Sequence, residues 1–251
     1  MDEALRQLPQ HDYIYLADSA NAPYGEKSSD WIAARSLTLC KYLASKGCDA
    51  IVVACNTATA EAIKQIRETL SIPIIGVEPG IKPAAMQSQN NIVGVLATEA
   101  TLKSDKFNAL LNTLPNDCQF IKQAGAGLVP LIESGQADSE ETLELLAKHL
   151  EPIQDAGSDT LVLGCTHYPL LTGVISYVMG NDVTLVSSAD ETAKDLYRTL
   201  VEHDLLRAKS SGAPTYKFVA TGDRLGSPVA SIRNAHRFAR TDTARCRYTR
   251  C

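Results

Sequence analysis

The sequence lacks any apolar run of the roughly 18 residues that a membrane-spanning helix requires, and it does not open on a signal peptide. Its seven cysteines are odd in number and widely spaced, and none forms a Cys-x-x-Cys pair. That spacing argues against a disulfide framework or a zinc site and favours reduced thiols in a cytoplasmic protein. Aromatic residues are scarce, at 6%, and the net charge is −5, which gives no sign of a nucleic-acid-binding surface. We therefore expect a cytoplasmic protein with neither a membrane nor a nucleic acid as partner.

The negative charge is unevenly distributed along the chain. The last 28 residues carry seven Arg and one Asp, a net of +6, so the preceding 223 residues carry −11 of the total of −5. Residues 224–251 also lack a sustained apolar period, and we expect them to form an irregular tail.

One short pattern occurs twice. Residues 47–57 and 157–167 each begin with Gly, carry Asp two residues later and reach a cysteine after a short apolar run, at an offset of 110. Such a run, bounded by polar residues, is typical of a strand buried on both faces of a parallel sheet. Cys55 and Cys165 then lie at the carboxyl ends of their strands, where open α/β sheets bind ligands. Thr57 and Pro169 are candidate helix starts, and a helix N-terminus favours the thiolate.

Strand and helix patterns alternate along the chain, which predicts an α/β fold with parallel sheets. Its 251 residues suffice for two domains with cores of their own. The repeat predicts two pseudo-symmetric domains, each with a mostly parallel sheet flanked by helices. We expect the first to comprise residues 1–77 and 188–223, and the second residues 78–187. Strands are expected at 13–17, 50–54, 72–77, 92–97, 118–122, 160–164, 182–187 and 216–220.

Two thiols at equivalent strand ends could face each other across a cleft. One thiolate could then remove a proton from a carbon while the other thiol returned a proton from the opposite side, which inverts the carbon. His167, two residues after Cys165, could assist that thiol. The alternative is that both cysteines are small core residues, because free cysteine is often buried. The matched pair, each followed by hydrogen-bonding residues, favours catalysis.

Several stretches together form a specific pattern: Cys55-Asn56-Thr57, Cys165-Thr166-His167, and residues 13–18, 23–28, 53–59, 76–84, 95–98 and 163–170. Over about residues 5–223 the chain resembles the glutamate racemases of the aspartate/glutamate racemase superfamily. The resemblance implies two α/β domains with the active site between them, no cofactor, glutamate as substrate and D-glutamate for peptidoglycan as product. It is compatible with a homodimer.

Position by position, the resemblance implies that Cys55 deprotonates D-glutamate and that Cys165 deprotonates L-glutamate. Glu133 matches an accessory acidic position near the second thiol, although it could equally be a solvated residue at a helix end. Thr98 and Thr101 could line the cleft or cap the following helix. Short polar side chains and backbone N–H groups suit two carboxylates. The substrate-binding positions implied are Tyr24, Gly25, Asn56, Thr57, Thr98, Thr166 and His167.

The chain departs from the family at both ends, by the Arg-rich residues after 223 and by an element expected before residue 1. Shifted by 110 residues, strand 92–97 and its loop would fall before residue 1, so the first half is expected to lack its opening strand. In the family that strand ends in an Asp-Ser pair, whose Asp assists the first cysteine. Three hypotheses follow: an active glutamate racemase, a racemase acting on aspartate or another amino acid, or an impaired homologue that acts only by binding.

Overall fold

The computed structural model describes residues 1–114, 117–208 and 212–222, and the backbone of residues 246–250. It is a mixed α/β structure in which every paired strand runs parallel to its neighbour. Among the described residues, no helix is long and apolar enough to cross a membrane. The strands, in chain order, are β1 (Tyr13–Ala17), β2 (Ile51–Val53), β3 (Ile74–Gly76), β4 (Ile92–Ala97), β5 (Gln119–Ala124), β6 (Thr160–Gly164), β7 (Thr184–Ser187), β8 (Tyr216–Ala220) and β9 (Cys246–Arg250).

Parallel strands require crossover connections, and helices supply most of them. Several helices begin at a serine whose hydroxyl accepts a backbone N–H of the first turn, as Ser28, Ser104 and Ser139 do. The helices are α1 (Asp2–Gln7), α2 (Ser29–Ser45), α3 (Asn56–Thr69), α4 (Ile81–Gln87), α5 (Glu99–Lys103), α6 (Asp105–Leu111), α7 (Leu128–Glu133), α8 (Glu140–Asp155), α9 (Thr172–Met179) and α10 (Ala189–Glu202).

The second half, which runs from β4 to β7, forms one four-stranded sheet in the order β5-β4-β6-β7. All five residues of β6 are buried, because helices cover both faces. Side chains alternate between the faces: Leu161 and Leu163 pack with α8 and α9, whereas Val162 packs with α4 and α6. Cys165 follows directly at the carboxyl end of this central strand.

The strands of the first half lie in two sheets, β1-β8-β9 and β2-β3. Ile51 and Val53 pack against α2 and α3, while Ile75 packs against α1 and α10. All five residues of β1 are only half-buried. Among the described residues of this half, no strand pairs with both β1 and β2 in the way that β4 pairs with β5 and β6. The expected absence of an opening strand stays a prediction, and so does the division into two domains at residues 77 and 188.

Three local differences from the sequence-based expectations have clear causes. The spacing of Leu102, Phe107, Leu110 and Leu114 predicts one helix from Leu102 to Leu114, but the chain breaks at Ser104. Its extended backbone ends α5 while its hydroxyl caps α6. The helix expected from Pro169 begins as a 3₁₀ turn, Tyr168–Leu171, before α9. Helix α4 follows the Glu78-Pro79-Gly80 break and was not anticipated.

The tail was expected to be irregular, yet β9 pairs in parallel with β8. The edge of β8 offers unpaired backbone groups, and Tyr and Thr within Cys246–Arg250 favour strands. The rest of residues 224–251 lies outside the described residues.

Candidate active site

Cys55 caps the N-terminus of α3. It directly precedes the helix in an extended conformation, and its Sγ accepts the backbone N–H of Ala58 at 3.5 Å. Burial raises the pKa of the Cys55 thiol to about 11, assisted by the charge of Cys165, while hydrogen bonds from Ala58 and Thr57 oppose the rise. Thr57, two residues after Cys55, contacts Thr98, which follows β4 beside Cys165 because Ala97 pairs with Gly164. The two thiols therefore lie at the junction of the halves, although they follow strands of different sheets. Their mutual repulsion disfavours simultaneous ionisation.

Cys165 is the end of a chain of polar contacts. Its Sγ lies 3.8 Å from Nδ1 of His167, and Nε2 of His167 lies 2.6 Å from a carboxylate oxygen of Glu133. Burial would lower the pKa of His167, but hydrogen bonds to Cys165 and Glu133, and the charges of both, raise it to about 10. A protonated His167 therefore places a positive charge between the sulfur and the carboxylate.

The 3₁₀ turn Tyr168–Leu171 sets the geometry of these polar contacts. The N–H of Tyr168 binds the carbonyl of Cys165 at 3.1 Å, and that of Leu170 binds the carbonyl of His167 at 3.0 Å. These short-range bonds bring His167 back beside Cys165. Glu133 is the last residue of α7. The structure thus brings together Cys165, His167 and Glu133, whereas Thr166 is exposed beside them.

Three threonine hydroxyls join the two halves near Cys55. Oγ1 of Thr57, in the first turn of α3, lies 2.9 Å from Oγ1 of Thr98 and 3.4 Å from that of Thr101. Thr98 also caps α5 by accepting the N–H of Thr101. Thr98 therefore caps its helix and also faces Thr57 across the junction, while its place in a substrate cleft stays a prediction. Thr57 and Thr101 are buried.

Asn56 is 4% exposed, and neither polar atom of its carboxamide has a hydrogen-bond partner among the described residues. It lines a cavity of about 10 Å³ between α3 and α6, together with Thr101 and Phe107. Buried polar groups are nearly always paired, so an unpaired carboxamide beside Cys55 is a candidate for ligand contact.

Tyr24 and Gly25 belong to the first half and lie where it approaches Thr98 of the second half. A Cβ placed on Gly25 would lie 3.0 Å from Cβ of Thr98, so the glycine backbone approaches the second half closely. Tyr24 is half-buried, and burial raises the pKa of its phenol, assisted by the hydrogen bond to Asp18 and by the charges of Asp18 and Cys55. Sequence reasoning named both residues but missed their anchor, Asp18, since only the tertiary structure shows its partners.

Among the described residues, no cluster of three His, Cys, Asp or Glu side chains could hold a metal ion. The site is instead a pair of thiols surrounded by hydroxyl, carboxamide and backbone donors. Such groups can bind carboxylates and exchange protons.

Comparison with known proteins identifies the family. The sequence model of the Asp/Glu/hydantoin racemase family matches residues 1–196 of the 251. The chain belongs to this family. Within the Asp/Glu/hydantoin racemase family, its curated relatives include the glutamate racemase of Ralstonia pickettii, 50% identical over 219 residues that cover 87% of this chain and 77% of the relative. The glutamate racemase of Cupriavidus pinatubonensis is 52% identical over 216 residues, which cover 86% and 79% of the two chains.

Solved structures of family members share the fold. Glutamate racemase from Bacillus anthracis superposes with a TM-score of 0.83 at 31% identity, covering 100% of this chain and 91% of that one. The Francisella tularensis glutamate racemase, solved in complex with D-glutamate, gives 0.80 at 28% identity and covers 98% and 90%. The Escherichia coli glutamate racemase, solved with L-glutamate and the activator UDP-MurNAc-Ala, gives 0.76 at 35% identity and covers 86% and 82%.

Proposed function

We propose that this protein interconverts L- and D-glutamate by acid–base catalysis with Cys55 and Cys165, without a cofactor, and so supplies D-glutamate for peptidoglycan synthesis. The observation that carries the proposal is the position of the two thiols, each at the carboxyl end of a strand in a different half, at the junction where Thr57 contacts Thr98. The relatives named glutamate racemases, at about 50% identity, support glutamate rather than aspartate as substrate.

Racemisation requires one base and one acid on opposite faces of Cα. A thiolate on one side takes the α-proton, and the thiol on the other side donates a proton to the opposite face of the resulting carbanion. The two thiols must therefore differ in charge. Their surroundings differ in this sense, because burial raises the pKa of Cys55 to about 11, whereas the sulfur of Cys165 lies 3.8 Å from His167, whose pKa is raised to about 10. In the reverse direction the roles exchange.

The remaining groups suit a dicarboxylate substrate. The N-terminus of α3 presents backbone N–H groups beside Cys55, and a helix N-terminus favours a bound anion. Asn56 has unpaired donor and acceptor atoms, and Thr57 and Thr98 carry hydroxyls at the junction of the halves. We assign these residues, with Tyr24, Gly25, Thr166 and His167, to substrate binding.

The proposal is tested by exchange of the α-proton of each glutamate enantiomer in heavy water, followed by NMR. Cys55→Ser should lose exchange of D-glutamate first and Cys165→Ser that of L-glutamate, because a hydroxyl is a far poorer base than a thiolate. Racemisation should fall in both variants by at least about 10²-fold. The half-buried Cys48 and Cys118 provide matched controls, and serine there should leave racemisation intact.

The proposal fails if either catalytic-site serine variant racemises glutamate at the unmodified rate. It also fails if the unmodified chain exchanges aspartate but not glutamate. A chain that binds glutamate without exchange would favour the binding-only hypothesis.

A further inference from the structure

Asp18 follows β1 directly and is the centre of a dense polar network. Its side chain is 8% exposed. Arg35 donates to both carboxylate oxygens, with Nε at 2.8 Å from Oδ2 and the terminal nitrogen at 2.5 Å from Oδ1. The hydroxyl of Thr221 donates at 2.6 Å, the amide of Asn21 at 3.0 Å and the phenol of Tyr24 at 2.5 Å. These five charge-assisted bonds hold the pKa of Asp18 well below its usual range.

The network reaches the catalytic cleft through one residue. Tyr24 donates its only O–H to Asp18. The ring packs edge-on against Trp31, with centroids 5.4 Å apart and an interplanar angle of 83°. The next residue, Gly25, contacts Thr98 of the second half. The position of residues 23–25 therefore depends on where Tyr24 is held.

We propose that Asp18 is a positioning residue: by fixing the Tyr24 hydroxyl, it holds residues 23–25 against Thr98 and shapes the wall of the substrate cleft. This inference rests on the function proposed above, since it assigns residues 23–25 to the glutamate site. Asp18 donates no proton and touches no reacting atom. Its carboxylate serves because four different side chains can donate to it at once, as an anion with two oxygens allows.

A residue that shapes a binding wall should affect substrate affinity more than the chemical step. We expect Asp18→Asn to raise KM about tenfold for both enantiomers, the order expected for a hydrogen bond to a charged group, with little change in kcat. Tyr24→Phe should give a similar increase. If Asp18 acts through the phenol, the double variant should be no worse than the more severe single variant.

Asp12 provides the matched control, because it lies at the other end of the same strand pair. It precedes β1 and accepts the backbone N–H and the hydroxyl of Thr215, at 2.6 and 2.7 Å, and pairs with Arg207. Asp12→Asn thus removes a comparable carboxylate from the same β1-β8 ladder but away from the cleft. It should leave KM unchanged.

Trp31 supplies a readout that does not require activity. It is the only tryptophan in the chain and its fluorescence reports the packing of Tyr24. Asp18→Asn and Tyr24→Phe should both make Trp31 more accessible to acrylamide, whereas Asp12→Asn should not.

The outcomes separate the two proposals. Equal increases in KM for Asp12→Asn and Asp18→Asn, additive effects of Asp18→Asn and Tyr24→Phe, or a loss confined to kcat would each overturn the positioning role. If the unmodified chain fails to racemise glutamate, the proposed function fails, and acrylamide quenching still decides whether Asp18 holds Tyr24. Unchanged quenching in Asp18→Asn would then reject the inference.

Discussion

His167 lies between a sulfur and a carboxylate, and this position determines its charge. The contacts that raise its pKa from 6.5 to about 10 come from Cys165 and Glu133. Because the folded-state pKa exceeds the unfolded one, the stability gained from this charge is full below about 6.5 and declines as pH rises through about 10. In the folded protein the imidazolium is available to assist Cys165 at any pH below about 10.

Glu133→Gln should therefore move the alkaline limb of the pH–rate profile to lower pH. The variant removes both the hydrogen bond to a carboxylate and its negative charge, so the pKa of His167 falls towards 6.5. The measurement is kcat/KM for both enantiomers across the interval from about 6.5 to about 10. Glu144→Gln, on the exposed face of α8, should leave the profile unmoved. An unchanged limb in Glu133→Gln would show that the carboxylate does not control His167.

The ionisation of Asp18 affects stability at acid pH, and its contribution changes with pH in the opposite direction to that of His167. Its folded-state pKa is depressed, so its stabilisation is present above the unfolded value of 3.8 and is lost as pH falls below it. Above about pH 4, Asp18→Asn should lower the free energy of unfolding by roughly 2 kcal/mol, the size of a hydrogen bond to a charged group. Below that pH the difference should shrink. Urea unfolding at several pH values measures it, and a difference that persists unchanged at pH 3 would contradict the assignment.

The positions of the two thiols follow from the sequence, because each ends a recognisable buried strand. The roles proposed for Glu133 and Thr98 rest on the family resemblance, since no local pattern distinguishes these residues from a solvated residue or a helix cap. Asp18 could not be found at all by local reasoning. Its partners Arg35 and Thr221 are 17 and 203 residues away, and only the folded chain brings them together.

At the scale of elements, the close packing of β4 against α8 requires a glycine at position 94. A Cβ added to Gly94 would lie 2.4 Å from Cγ2 of Ile153 in α8 and 3.1 Å from Cδ1 of Leu161 in β6, and both of these residues are fully buried. Helix α8 can pack closely on the sheet because this position has no side chain.

Gly94→Ala should lower the free energy of unfolding by about 1–3 kcal/mol, the usual effect of overpacking a core. Gly173→Ala is the matched control. No heavy atom lies within 4 Å of its added Cβ, and the residue is in α9, where Ala is favoured over Gly by up to about 1 kcal/mol. Chemical denaturation of the two variants should give changes of opposite sign. A neutral Gly94→Ala would show that α8 can shift at little cost.

The strands β1, β4, β6 and β8 were predicted residue by residue because apolar runs and flanking turns define them clearly. Helix ends were harder to predict. Ser104 splits the helix expected from Leu102 to Leu114 because its hydroxyl caps α6, and apolar periodicity alone does not reveal such a cap.

At the scale of the whole molecule, the two halves differ in how well their sheets are covered. Strand β6 is buried at every residue, whereas β1 is half-buried at every residue. Local opening requires less free energy where fewer apolar contacts are broken. The order of the sheets, and this inequality, could not be read from a repeat that predicts similar halves.

Hydrogen exchange monitored by mass spectrometry should therefore show slower exchange in β4 and β6 than in β1 and β2. Adding glutamate should slow exchange most around Asn56, Thr57 and Thr98, where the halves meet. Equal protection of β1 and β6 in the free protein would contradict the difference in burial. Protection by glutamate confined to one half would place the site elsewhere.

The two thiols have unlike surroundings, since Cys55 is held by backbone donors of a helix and Cys165 by a histidine. Mirror-image amino acids have the same free energy in water, so the equilibrium constant of the proposed reaction is unity. The Haldane relation then requires kcat/KM to be equal for the two enantiomers, in the unmodified protein and in every variant. The asymmetry of the site can therefore appear only in kcat and KM separately and in isotope exchange. A variant whose measured kcat/KM differed between enantiomers would reveal an error in the assay rather than a property of the protein.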